Sequence, residues 1–325
     1  MREAGGETRP SRIAAFTLDL EEHRADGMPS RVVANVMRIL EFLDGRRITA
    51  TVFVVAEIAT EHPSLLREIA AAGHEIGFHG EDHEYLHNLS PQEVSTSGAE
   101  WRKRLEDLCG AGILGYRAPY FSLTPAVPWA PSAIADAGFA YSSSVMPARS
   151  RVGGFPGAPT TPFRWPNGLT EMPCPVGRVG PLRVPFAGGV YVRLLPVALV
   201  RAFARRQPQG SVPWVYCHPY DFDTDEAVRR IPGTRWGETR ILFLHRKRMF
   251  DRLAMLLDGS DLRPLRDWAS NPDFVASLRS LDPMQSCANG WARKGGFRTC
   301  GSRTRARHPG RTPRGGVARN GAHPG

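Results

Sequence analysis

The chain has 325 residues, 42% hydrophobic and 23% charged, an ordinary soluble-protein composition and enough length for one large α/β domain or two smaller ones. No stretch approaches the roughly 18 consecutive apolar residues of a membrane span, and the charged, Gly-rich start from Met1 to Pro10 lacks the apolar core of a secretion signal, so a cytoplasmic location is expected. The formal charge of +10 suggests a nucleic-acid partner until it is located: nine Lys or Arg and no Asp or Glu lie between Ser286 and Gly325, leaving only +1 for the remainder, so nucleic-acid binding is not expected of the body.

Ile13 to Leu20 reads as a buried first strand, followed by a helix in which Val32, Val33, Val36, Ile39, Leu40 and Leu43 recur at helical spacing up to Asp44-Gly45. Thr51 to Val55 is a β-branched second strand, and Pro63 to Ala72 a short helix ending at Gly73. Glu75 to Phe78 is a third strand. Ser90-Pro91-Gln92-Glu93 has the form of a capping box opening a helix that runs through Trp101, Leu105 and Leu108 to Gly110. Ile113 to Tyr116 is a further strand.

From Val145 to Gly189 the chain is dense in Pro and Gly, and reads as an irregular insertion that could shape a substrate groove. Strand and helix then resume. Leu194 to Arg205 is expected as helix, Val212 to Cys217 as strand, and Thr239 to Leu257 as one amphipathic helix with Arg246, Lys247 and Arg248 on its wet side. Leu265 to Trp268 closes the domain. Residues 1–12 are expected to be flexible, 13–284 to form the catalytic domain, and 285–325 to be a basic, disordered tail. Cys109, Cys174, Cys217, Cys287 and Cys300 are odd in number and scattered, and read as free thiols, with Cys217 a small buried strand residue. Regular strand-helix alternation predicts a parallel sheet, open or closed as a barrel, with functional residues at the carboxyl ends of its strands.

Chemistry concentrates at those ends. His79-Gly80-Glu81-Asp82-His83 places two imidazoles four residues apart, expected on one face of a helical turn where both reach one ion. Asp19 and Glu21 leave the first strand two residues apart and so face one site. Two histidines and one carboxylate form a metal site with open positions; zinc is expected, and Co2+, Ni2+ or Mn2+ suit the same ligands. Arg117-Ala118-Pro119-Tyr120 ends another strand, and Tyr216-Cys217-His218-Pro219 another. His62, His74, His87 and His245 are read as ordinary polar residues.

These four motifs, in this order between Ile13 and Trp268, resemble the polysaccharide deacetylases of carbohydrate esterase family 4, with the nodulation-type deacetylase fold, and look most similar to the subgroup associated with exopolysaccharide and exosortase clusters. The resemblance implies an α/β fold, a distorted (β/α) barrel of about seven parallel strands, and removal of N-acetyl groups from the amino sugars of a glycan. It further implies Asp19 as catalytic base, His79 and His83 as metal ligands, Arg117 orienting Asp19, the Tyr120 backbone N–H in the oxyanion hole and His218 as general acid. Alternatives are an allantoinase-like hydrolase of another C–N bond and a glycan-binding relative with weakened chemistry.

The chain departs from the family pattern at three places. Leu20 stands where relatives have a second aspartate, so the third ligand is expected to be Glu21, with Glu22 in reserve. Gly80 replaces a hydroxyl residue. Ser142 lies where relatives place an aspartate beside the acid histidine, from which a less basic His218 is expected.

Overall fold

The computed structural model describes residues 12–22, 28–150, 153–229 and 236–284. Residues 1–11, the basic segment 285–325, Cys287 and Cys300 lie outside the described residues.

The apolar, β-branched runs form the centre of the sheet, and every residue of β1 (Ala15–Leu20), β2 (Thr51–Val54) and β3 (Glu75–Phe78) is buried. Burial on both faces is why these strands read as continuous apolar runs. β4 (Gly115–Tyr116), β5 (Tyr141–Ser142), β6 (Phe163–Arg164) and β7 (Thr170–Glu171) are two-residue strands. β8 (Val176–Val179) and β9 (Leu182–Pro185) form a separate antiparallel hairpin, and β10 (Trp214–Cys217) returns to the sheet.

The eight-stranded sheet has the order β10-β1-β2-β3-β4-β5-β7-β6. Every neighbouring pair is parallel except β6 with β7. Seven strands therefore run one way and bring their carboxyl ends to one rim, and the sheet curls into a half-barrel, as expected for the distorted (β/α) barrel. The helices Val32–Asp44, Pro63–Ala71 and Pro91–Cys109 bury their apolar sides in the same core as the strands. Ser90 caps the last of them as expected: its hydroxyl accepts from the Glu93 N–H at 3.2 Å, while the Glu93 carboxylate accepts from the Ser90 N–H at 2.7 Å.

The opposite rim is sealed by a buried carboxyl. Glu75 accepts hydrogen bonds from Thr51 Oγ1 (2.6 Å), the Tyr141 hydroxyl (2.7 Å) and the Arg266 N–H (2.9 Å), which pins the helix Leu265–Ala269 against the strand starts. Burial pushes the Glu75 pKa upward.

Several expectations are corrected. The Pro/Gly-rich segment is not wholly irregular: it supplies β6 and β7 to the sheet, too short to show a period of two. The helix expected over Leu194 to Arg205 is two, Gly189–Leu194 and Val197–Arg205, because Pro196 lacks the N–H that would continue the ladder. The single helix expected over Thr239 to Leu257 is broken at His245, which has a left-handed φ of 59°, between Trp236–Phe243 and Met249–Leu257. Arg246 is not on a wet face; it is buried, donating to Glu226 at 2.8 Å and to the Asp223 carbonyl at 3.1 Å. Cys109, Cys174 and Cys217 are free thiols, the last two buried. No helix among the described residues is long and apolar enough to cross a membrane.

Candidate active site

The rim where the parallel strands end gathers the chemistry. β1 delivers Asp19 and, one residue past its end, Glu21; β3 runs into His79; β4 into Arg117; β10 into His218. Ligand atoms of Glu21, His79 and His83 all lie within 4.8 Å of one another, close enough to share one cation.

The His79 to His83 segment is not the helical turn expected from its spacing. It is a loop in which Gly80 (φ +88°) and His83 (φ 50°) are both left-handed, and the imidazoles converge across it with ring centroids 5.1 Å apart. Gly80, which lacks the hydroxyl of relatives, has a backbone reason to be glycine: a Cβ there would come within 3.2 Å of the Pro119 ring at a φ that L-residues resist.

His79 Nδ1 lies 2.8 Å from the Arg117 carbonyl. A carbonyl only accepts, so Nδ1 carries the proton and Nε2 keeps its lone pair, the tautomer a metal ligand needs. Burial pushes the His79 pKa down to about 4, against the pull of Asp19, so the ring stays neutral. His83 Nε2 contacts Glu21 Oε2 directly. Burial works against the Glu21 charge, but the charge and hydrogen bond of His83, with the charge of His218, outweigh it and hold this carboxyl well below the ordinary range. Glu22, the reserve ligand, accepts instead from the Ser30 hydroxyl and stands outside the cluster. The donor set thus fits a divalent cation.

Asp19 and Arg117 form a buried ion pair at 2.5 Å, with side chains 4% and 0% exposed. Arg117 Nη1 also donates to Thr17 Oγ1 (2.8 Å), Nη2 to Ser143 Oγ (2.9 Å) and Nε to the Ser143 carbonyl (3.3 Å). Its guanidinium lies 4.1 Å from the Phe53 ring centre and 4.3 Å from that of Trp214. This enclosure fixes the guanidinium, and through it the Asp19 carboxylate.

His218 sits opposite, its Nε2 3.6 Å from Glu21 Oε1 and 3.9 Å from Asp19 Oδ2. Its other nitrogen, Nδ1, lies 3.3 Å from Asp221 Oδ2. Burial alone would lower its pKa, yet the Asp221 hydrogen bond and the charges of Glu21, Asp221 and Asp19 raise it to about 9. The less basic His218 expected from Ser142 is therefore corrected, because the carboxylate comes from three residues downstream. Ser142 instead hydrogen-bonds Ser144 Oγ at 2.8 Å.

Tyr120, 37% exposed, has a left-handed backbone (φ 58°, ψ 14°), and its ring stacks on Tyr85 at 4.1 Å and stands edge-on to His83 at 4.6 Å. Asp221 and its partner Arg193 were not foreseen. The signal was available in His218-Pro219-Tyr220-Asp221, which has the spacing of a capping box with histidine as cap.

Parallel strands curled into a half-barrel are consistent with the (β/α) barrel fold expected from the sequence, and a carboxylate-arginine pair and a Glu/His/His cluster lie on one rim of it. Residues 8–141 match the family described as Polysaccharide deacetylase, and residues 143–269 match a Domain of unknown function, DUF3473. The stretch from residue 8 to residue 141 thus matches the polysaccharide deacetylase family, as the motif order leads one to expect.

A chitooligosaccharide deacetylase from Azorhizobium caulinodans is 36% identical over 83 residues, 25% of this chain and 40% of that protein. The peptidoglycan-N-acetylglucosamine deacetylase PgdA of Listeria monocytogenes is 32% identical over 95 residues, 29% of this chain and 20% of its own length. The chain thus spans well under half of these relatives. A Mycobacterium smegmatis structure assigned to the polysaccharide deacetylases superposes with a TM-score of 0.56 at 22% identity, covering 84% of this chain and 95% of that one. That likeness speaks for the fold alone.

Proposed function

We propose that the protein is a metal-dependent hydrolase that removes N-acetyl groups from the amino sugars of a polysaccharide or its precursor. The observation that carries this reading is the convergence of Asp19, Glu21, His79, His83, Arg117 and His218 on one strand-end rim, with the Glu/His/His donors within 4.8 Å of one another. The names of the Azorhizobium and Listeria relatives support glycans containing N-acetylglucosamine as the substrate class.

Glu21, His79 and His83 would hold the divalent ion, zinc by donor chemistry. Bound there, it would supply Lewis-acid polarisation of the acetyl carbonyl and a more acidic water. Asp19, aimed by Arg117, takes a proton from the attacking water. The Tyr120 N–H receives the charge that develops on the carbonyl oxygen. His218 gives the proton from Nε2 to the departing nitrogen, and each proton transfer contributes on the order of 10² to 10⁴ in rate.

The test is acetate release from N-acetylglucosamine oligomers by the purified protein, with and without chelator, beside parallel assays on ureides. Release that disappears on chelation and returns with Zn2+ is expected. Chelator-insensitive turnover, or cleavage of ureides in place of the sugars, overturns the proposal.

A further inference from the structure

His218 draws its nearest support on the Nδ1 side from the turn that follows it. It ends β10 in extended conformation (φ −125°, ψ 158°), and Pro219 opens a short turn, Pro219–Phe222, that brings Asp221 back beneath it. Asp221 Oδ2 accepts from the His218 backbone N–H at 2.9 Å and faces Nδ1 at 3.3 Å. With Nδ1 committed to Asp221, Nε2 is the nitrogen presented toward Asp19 and Glu21.

Asp221 is itself clamped. Its Oδ1 accepts from Arg193 Nη2 at 2.9 Å, the two side chains being 1% and 0% exposed, and Arg193 Nη1 donates to the Leu244 carbonyl at 2.5 Å. Gly189 makes room: a Cβ there would lie 1.9 Å from Asp221 Oδ2. Buried ion pairs contribute little net stability against apolar replacements, so this one is better explained by what it does to the imidazole it touches.

Resting on the deacetylase reading above, we propose that Asp221, clamped by Arg193, is the positioning residue that fits His218 to protonate an amine leaving group, one that cannot depart without that proton. Water oxygen bonds to the carbonyl carbon as Asp19 takes one water proton. The C–N bond then breaks as the Nε2 proton moves to nitrogen, yielding acetic acid and a free amine; His218 and Asp19 reset by proton exchange with solvent. An amine cannot leave as its anion and needs that proton, whereas a stabilised phenolate leaves without it.

The experiment compares N-acetylchitooligosaccharide with p-nitrophenyl acetate as substrates for the zinc-loaded full chain, its Asp221→Asn variant and its Arg193→Lys variant. For Asp221→Asn, kcat on the amide should fall about 100- to 1,000-fold with KM little changed, while kcat on the ester stays within about threefold. Arg193→Lys, which keeps the buried charge, should show the same selectivity at smaller amplitude and carries the test if Asp221→Asn does not fold. In protein labelled with ¹⁵N-histidine, the His218 Nδ1–H resonance should lie far downfield and shift upfield in either variant. Equal losses on both substrates, unchanged amide turnover or an unmoved Nδ1–H signal overturns the proposal. Wild-type protein that releases no acetate from the sugar overturns the deacetylase reading instead, and the resonance still decides whether Asp221 holds His218.

Discussion

Replacing Arg117 with methionine should separate what holds the site from what works in it. The guanidinium is fully buried, and its removal strands the Asp19 carboxylate, itself 4% exposed, without its 2.5 Å partner. Breaking a buried pair by deleting one partner costs about 3–5 kcal/mol. The contacts over Phe53 and Trp214 add about 1 kcal/mol, and the apolar methionine returns a similar amount. A net loss of about 4 kcal/mol corresponds to a fall in Tm of roughly 8–16 °C for a domain of this size. Thermal unfolding of the metal-free chain, followed by circular dichroism, reads it directly. In the double variant Arg117→Met/Asp19→Leu no charge is left uncompensated, so a coupling of about 2–3 kcal/mol should appear. A single-variant loss under about 1 kcal/mol, or strict additivity, would refute the argument that Asp19 depends on Arg117.

Three other outcomes are expected. Elemental analysis should find metal lost from His79→Ala and Glu21→Gln but retained by Glu22→Gln, since Glu22 is engaged with Ser30; equal loss in both glutamate variants would count against Glu21. Asp19→Asn should keep its metal and lose about 10² to 10⁴ in kcat, and near-normal acetate release from it would remove Asp19 from the mechanism. In chelator, Tm should peak near pH 6.5. His79, held at about 4 in the fold against an ordinary 6.5, contributes stability that is complete above pH 6.5 and lost as pH falls toward 4; His218, raised to about 9, contributes stability that is complete below pH 6.5 and lost as pH rises through 9. A profile that climbs or falls steadily from pH 4 to 9 would contradict these environments.

The strand-helix frame was legible because strands covered on both faces must be apolar throughout and helices covered on one face must repeat, as β1 to β3 and Val32–Asp44 do. The rim residues were legible because chemistry collects where parallel strands end. Other features leave no such imprint. β6 and β7 have two residues each, and their place comes from pairing across the sheet. Helical spacing suited His79 and His83, yet two left-handed residues bring the rings together in a loop. Arg246 looked like a solvated charge because sequence shows polarity and not the Glu226 carboxylate that accompanies it inward. His218 was judged by an aspartate missing from a distant strand while Asp221 stood three residues away.

The match to the polysaccharide deacetylase family stops at residue 141 and the next begins at 143, but the sheet ignores that border. β10, from the later stretch, hydrogen-bonds along β1 from the earlier one, with Leu18 in register with Cys217. Asp19 and His218 are therefore neighbours only because two separately described halves share a ladder. A protein cut between them would give two fragments with raw strand edges, each holding part of the candidate site, and homologous exchange of either half would have to preserve the seam before it could alter specificity.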